Sequence, residues 1–259
     1  MAVVIRAQHS GIPVTAEPAT VTPTTVSSTA PLKPSPAGTN VTIAPSPTVA
    51  TTTPAPPAAS FAYQPLFPFT SLEDAQAWQR ASSTGGHQPW HLDAELTALS
   101  FVGYLGYAGI DRVTSHTGDG SDAEVGVGYA SEGGRTATAA IVHLVRFGMG
   151  ADAPWEVVGT ADTDLTLTTP DYGASVSSPV VVGGRLTGVD EALHVQVRQL
   201  SSSTPLGESC CVAAGGQRTP WHTTVSFHGA TDRVLTVSVS TGGHLQAVER
   251  FAVTGVRVR

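Results

Sequence analysis

The chain has 259 residues, 41% of them hydrophobic and 13% charged, with a formal net charge of −7. An acidic balance with one lysine, Lys33, among 13 basic residues excludes a nucleic-acid surface, which needs clustered Lys or Arg. No run of about 18 apolar residues is present, so no helix long enough to cross a bilayer is expected.

Residues 1–60 are a compositional block of their own. "PATVTPTTVSSTAPLKPSPAG" and "APSPTVATTTPAPPAAS" contain Pro, Thr, Ser and Ala with almost no charge or aromatic rings. Such a segment buries too little apolar surface to offset its ordering entropy. Its prolines favour extended polyproline II, so it is predicted to be a disordered, semi-rigid stalk. The opening MAVVIRAQHSGIPV lacks the apolar core of a signal peptide. Either the chain is cytoplasmic, or a leader or anchor lies upstream.

Residues 61–168 read as an α+β domain. Ser71 and Asp74 fit a capping box that opens a short helix, SLEDAQAWQRA. A second helix is predicted from His91 to Tyr107, with Leu92, Leu96, Leu99 and Val102 as its buried stripe and Gly103 and Gly106 permitting close packing. Strand-like runs follow: DRVTSHT, AEVGVGYA, TATAAIVHLVRF and PWEVVGTADTDLTL. Turns at Thr117-Gly118-Asp119-Gly120 and Glu132-Gly133-Gly134 separate them. Helices followed by a meander imply helices packed on an antiparallel sheet. That order is similar to cystatin-like or nuclear-transport-factor-like folds, an analogy of topology.

Residues 169–259 read as an all-β sandwich of immunoglobulin-like size. Leu193, Val195 and Val197 alternate with His194, Gln196 and Arg198. Thr223, Val225 and Phe227 share a face, as do Leu235, Val237 and Val239. In RFAVTGVRV the apolar parity switches after Val253, which predicts a bulge at Thr254-Gly255. The adjacent Cys210 and Cys211 would need a strained turn to bridge, so two thiols are expected, one of them buried. Acidic groups concentrate in residues 61–169, which carry 13 against 4 basic, whereas residues 170–259 carry 6 against 7. The first part is therefore disfavoured at anionic surfaces.

"SPVVVGGRLTGVDEALHVQVRQ", then "PWHTTVSF", then "VLTVSVSTGGHLQAVERFAVTGVRV" resembles the immunoglobulin-like domain of bacterial spore germination proteins, over about residues 172–259. The likeness lies in Ser178-Pro179, the Gly183-Gly184 pair, the alternating strand after them and the closing strand-turn-strand. It implies an extracytoplasmic, non-catalytic module found beside other envelope modules. Residues 61–168 do not look like its usual germination partner, and the adjacent cysteines have no counterpart in it.

Candidate chemistry is sparse. STGGH occurs at 83–87 and 240–244 with unrelated flanks, which reads as turn chemistry used twice. His87, His91 and Asp93 could form a metal cluster, but Pro89 opposes the helix that the His spacing requires, and Asp93 fits a helix start. Asp119, Asp122 and Glu124 lack the spacing of a calcium-binding loop and fit a turn. His143 reads as a hydrogen-bonded strand residue, and His222, His228 and His244 as edge or loop residues. No nucleophile elbow or phosphate-binding glycine loop is present. Pro89-Trp90, Pro154-Trp155 and Pro220-Trp221 each read as the start of a helix or strand.

These readings predict no catalytic residues, metal or cofactor. The expected function is a non-catalytic extracytoplasmic protein of the cell envelope or surface, with a binding or scaffolding role. Its partner would be an envelope protein or polysaccharide. One alternative is a small-molecule receptor with a pocket in the α+β part lined by Trp90, Phe101, Tyr104 and Trp155. A second is a metal-dependent hydrolase using His87, His91 and Asp93.

Overall fold

A computed structural model describes residues 61–85 and 88–259. The predicted stalk, residues 1–60, lies outside the described residues, as does His87 with the end of the first STGGH. Helix α1 (Leu72–Gly85), a 3-10 turn (Pro89–Leu92) and α2 (Ala94–Leu105) come first. The strands are β1 (Arg112–Gly118), β2 (Asp122–Ala130), β3 (Thr136–Arg146), β4 (Trp155–Thr160), β5 (Ser175–Val176), β6 (Val180–Arg198), β7 (Gly207–Val225), β8 (Val234–Thr241) and β9 (Arg250–Val258). The elements of the described residues are thus mostly strands with few helices, an arrangement consistent with a β-sandwich.

The first sheet is a meander, β1-β2-β3-β4, antiparallel throughout. Ala123, Val125, Val127 and Tyr129 alternate along β2 and are all buried. They meet Ala98, Phe101, Val102 and Leu105 of α2 in one core. The capping reading holds at Ser71, whose Oγ accepts from the Asp74 N–H at 3.1 Å. The second helix departs from expectation. Asp93 is extended and caps α2 by accepting from the N–H groups of Glu95 and Leu96, so α2 starts at Ala94 and the Pro89 segment forms a separate turn. The expected stripe is only half right: Val102 is buried and Leu99 packs against the core, whereas Leu92 and Leu96 are exposed. α2 is apolar on nearly all sides, and small Ala94 and Ala98 let its backbone approach the sheet where bulky Leu96 would not. Gly106 does not pack; it is the left-handed cap that ends the helix.

The second sheet has the order β5-β9-β8-β6-β7 and contains every strand after residue 169. Leu193, Val195, Val197, Leu235, Val237 and Val239 are fully buried on one face, as their alternation predicts. Pairing between β8 and β9 is unbroken from Val234↔Arg257 to Thr241↔Arg250, so the expected bulge at Thr254-Gly255 does not exist. The parity switch has another cause: β9 is buried on both faces. Phe251 and Val253 enter the first core, while Ala252 and Val256 enter the second.

β6 and β7 form one long hairpin with three register shifts. Gly183-Gly184 lies inside β6, where a Cβ on Gly184 would sit 1.9 Å from the Thr166 carbonyl oxygen. The pair therefore admits the close approach of residues 165–169 along β6. Pro220-Trp221 is interior to β7 and starts no strand; β7 is an edge strand, where a missing N–H is tolerated. The expectation of two thiols, one buried, is also overturned. Cys210 and Cys211 are disulfide-bonded and both exposed. Among the described residues no helix is long and apolar enough to cross a membrane.

Candidate functional site

A crevice of ≈ 410 Å³ opens where β4 of the first sheet meets β9 of the second. Thr160 stitches that seam: its Oγ1 accepts from the Val253 N–H at 3.0 Å and donates to the Val253 carbonyl at 3.4 Å. The floor is Val158, Gly159 and Val253, and the walls come from Tyr63, His143, Thr168, Asp171 and Tyr172. Directly opposite residues in an antiparallel pair share a face. His143 is paired with Gly159, so the imidazole faces a position with no side chain. The crevice exists because Gly159 is empty.

Two of the wall groups, His143 and Tyr172, are held from behind. His143 Nε2 lies 3.1 Å from Asp122 Oδ2, and the imidazole meets the Tyr63 ring edge-on with centroids 5.6 Å apart. Tyr172 Oη accepts from the Gln64 N–H at 2.6 Å and donates to the Gln64 carbonyl at 3.4 Å. Buried Gln64 in turn accepts from Arg257 Nε at 2.9 Å. Burial pushes the Tyr172 phenol up to about 12 against the pull of that backbone N–H, so it stays a neutral hydroxyl. Both residues remain partly open to solvent, Tyr63 36% and Tyr172 44% exposed. The site thus offers two aromatic rings and the carboxylate of Asp171, with Asp122 behind His143. No hydroxyl or thiol nucleophile is hydrogen-bonded to His143 among the described residues.

A larger hollow of ≈ 620 Å³ beside α1 is lined by Gln76, Gln79, Arg80, Leu92, Met149 and Asp152. Its walls include the long side chains of Gln76, Arg80 and Met149, the last 80% exposed, and ordering such chains around a ligand carries an entropic cost. The seam crevice, with its buttressed rings, is the better-built site.

Of the residues singled out in the sequence, His143 lines the crevice, while the pocket and metal candidates fall elsewhere. Trp90, Phe101 and Tyr104 surround Phe67, with centroids 5.6 to 5.9 Å from its ring, and fill that space with one another. Trp155 lies apart from them under the Arg146 guanidinium, 4.2 Å from its ring centroid. Asp93 is the helix cap, while His91 is buried among Phe69, Trp78 and Trp90. No group of three or more His, Cys, Asp or Glu is placed to hold a metal among the described residues. Asp119 closes the β1–β2 turn, its Oδ1 accepting from the N–H groups of Ser121 and Asp122. The second STGGH runs from the end of β8 into a loop with Gly243 at φ 107, its next N–H groups held by the Glu249 carboxylate.

The chain matches no family model, no curated protein and no solved structure. The likeness of residues 172–259 to the germination-protein domain therefore rests on the sequence pattern alone. Sequence reasoning missed the crevice because its walls come from separate stretches of chain. The signals available were Tyr63, the second aromatic after the Pro/Thr-rich segment, and the glycine opposite His143.

Proposed function

We propose that this chain is a non-catalytic, extracytoplasmic protein of the cell envelope. Its stalk, residues 1–60, carries a folded part that binds polysaccharide in the crevice between β4 and β9. The observation that carries this reading is the pair of partly exposed rings, Tyr63 and Tyr172, beside the carboxylate of Asp171. Sugar rings present C–H faces that lie on aromatic surfaces and hydroxyls that donate to carboxylates. The acidic character of residues 61–169 suits a neutral or amino-bearing glycan over an anionic one.

The finer fold reading belongs to the same proposal. The α+β part is cystatin-like or nuclear-transport-factor-like in element order, and residues 169–259 are an immunoglobulin-like module. The alternating residues Leu193, Val195, Val197, Leu235, Val237 and Val239, gathered in one core, support the latter. The link to spore germination domains implies an envelope location and no enzymatic step.

The test is co-sedimentation of the full chain with purified cell-wall polysaccharide. Tyr63→Ala removes one ring. Gly159→Leu fills the floor, and its Cβ meets nothing nearer than the Val253 carbonyl oxygen at 3.9 Å. Both variants are expected to weaken retention by about tenfold, a loss of one modest contact, with unchanged melting temperature. Wild-type protein that stays in the supernatant, or variants that bind as it does, would end the proposal.

A further inference from the structure

We infer that the Cys210–Cys211 disulfide is a thiol-exchange site, taking low-molecular-weight thiols and dithiols as its substrates. This stands independently of the crevice. Its basis is where the bridge sits. In the β6–β7 hairpin Leu193 pairs with Val212 and Val195 with Ser209, so Cys210 and Cys211 together oppose the single residue His194. That is a bulge, and the extra residue in it is a half-cystine. β7 is the outer strand of its sheet, and both cysteines are exposed.

A structural role explains this bridge poorly. A disulfide stabilises a fold mainly by restricting the unfolded chain, and the effect grows with the loop it closes. Here the sequence separation is 1, the smallest loop a chain can close. The bridge ties together no two elements and covers no core. It does hold Cys211 at φ 66, a left-handed conformation that a non-glycine residue seldom adopts. A link that adds little to global stability, holds an uncommon backbone conformation and faces solvent is of the exchange-labile kind.

The chemistry balances with a thiol reductant. A thiolate RS⁻ attacks one sulfur of the pair; the Cys–Cys S–S bond breaks, a mixed disulfide forms, and the other cysteine leaves as a thiolate that takes up a proton. A second thiolate, or the second arm of a dithiol, attacks the mixed disulfide. It releases RS–SR and the second cysteine thiolate. Two electrons pass from the reductant to the pair, and an oxidised small disulfide reverses the sequence.

The experiment uses the air-oxidised full chain in native buffer with reduced dithiothreitol, quenched by iodoacetamide and read by intact mass and peptide mapping. Expected is alkylation at both Cys210 and Cys211 without denaturant, at a rate within about a hundredfold of that in fully denaturing urea, since access and not unfolding limits it. Slower native reduction overturns the inference, because the bridge would then open only with the fold. A Cys210→Ser/Cys211→Ser double variant separates this from a structural role. It is expected to keep the wild-type melting temperature to within about 4 °C, and a larger drop overturns the inference by making the bridge a stability element.

Discussion

His91 is an imidazole with no hydrogen-bond partner for either ring nitrogen among the described residues, only 4% exposed and boxed by the rings of Phe69, Trp78 and Trp90. Burial lowers its pKa from the ordinary 6.5 to about 4. Between those values the unfolded chain holds the proton and the folded chain does not, so stability falls as pH falls. The loss begins near pH 6.5 and amounts to ~3 kcal/mol by pH 4. Urea titrations at pH 7 and pH 4.5 on wild type and His91→Phe check this: the variant is expected to lose less on acidification. Equal losses in both proteins would place the acid sensitivity elsewhere. Glu156 presents the opposite case. It is fully buried, and burial pushes its carboxyl well above the usual carboxylate range. Its oxygens accept from the N–H groups of Phe67 at 2.7 Å and Phe69 at 3.2 Å, fastening the segment that leads into α1. Glu156→Ala strands those donors and is expected to cost about 2–4 kcal/mol; Glu156→Gln keeps an acceptor and should cost less. Thermal melts that rank the two the other way refute the fastening role.

Among elements, the β6–β7 hairpin depends on side chains that are absent. Gly184→Ala would drive a methyl into the Thr166 carbonyl, so a loss of about 1–3 kcal/mol is expected from backbone displacement. Gly159→Ala, with open space around its Cβ, serves as the control and should stay within about 0.5 kcal/mol of wild type. Denaturation midpoints measured side by side decide the point, and equal midpoints remove the close-approach argument. The helices were partly readable: Ser71 and Asp93 are both caps, because a short polar side chain before an apolar run has few other uses. The buried face of α2 was not readable. Leu96 and Phe101 are similar to a periodicity count, and only the sheet beneath distinguishes them.

For the whole molecule β9 is the joint. Phe251 and Val253 belong to the core under α2, and Ala252 and Val256 to the core of the second sheet. Removing the Phe251 ring should cost about 3–5 kcal/mol, and because its strand serves both cores the melt should remain a single transition. Calorimetry of Phe251→Ala showing two resolved transitions contradicts this. The same seam makes the crevice, since Gly159, His143, Tyr63 and Tyr172 meet only once β4 is stitched to β9.

What the sequence determined by itself is local. The strands of the meander, the alternation of Leu193, Val195 and Val197, the caps and the turn at the second STGGH all follow from interactions within a few residues, where period, φ preference and short hydrogen bonds are enough. What the tertiary structure decided is everything that depends on what lies opposite. Burial of β9 on both faces produced a parity switch that looked like a bulge. Close backbone approach put Gly183-Gly184 inside a strand. The bulge facing His194 set Cys210 and Cys211 together on an outer edge, and the β4–β9 seam gathered a crevice from residues far apart in the chain. Side-chain period encodes which way a residue points, and it carries no information about what it will meet there.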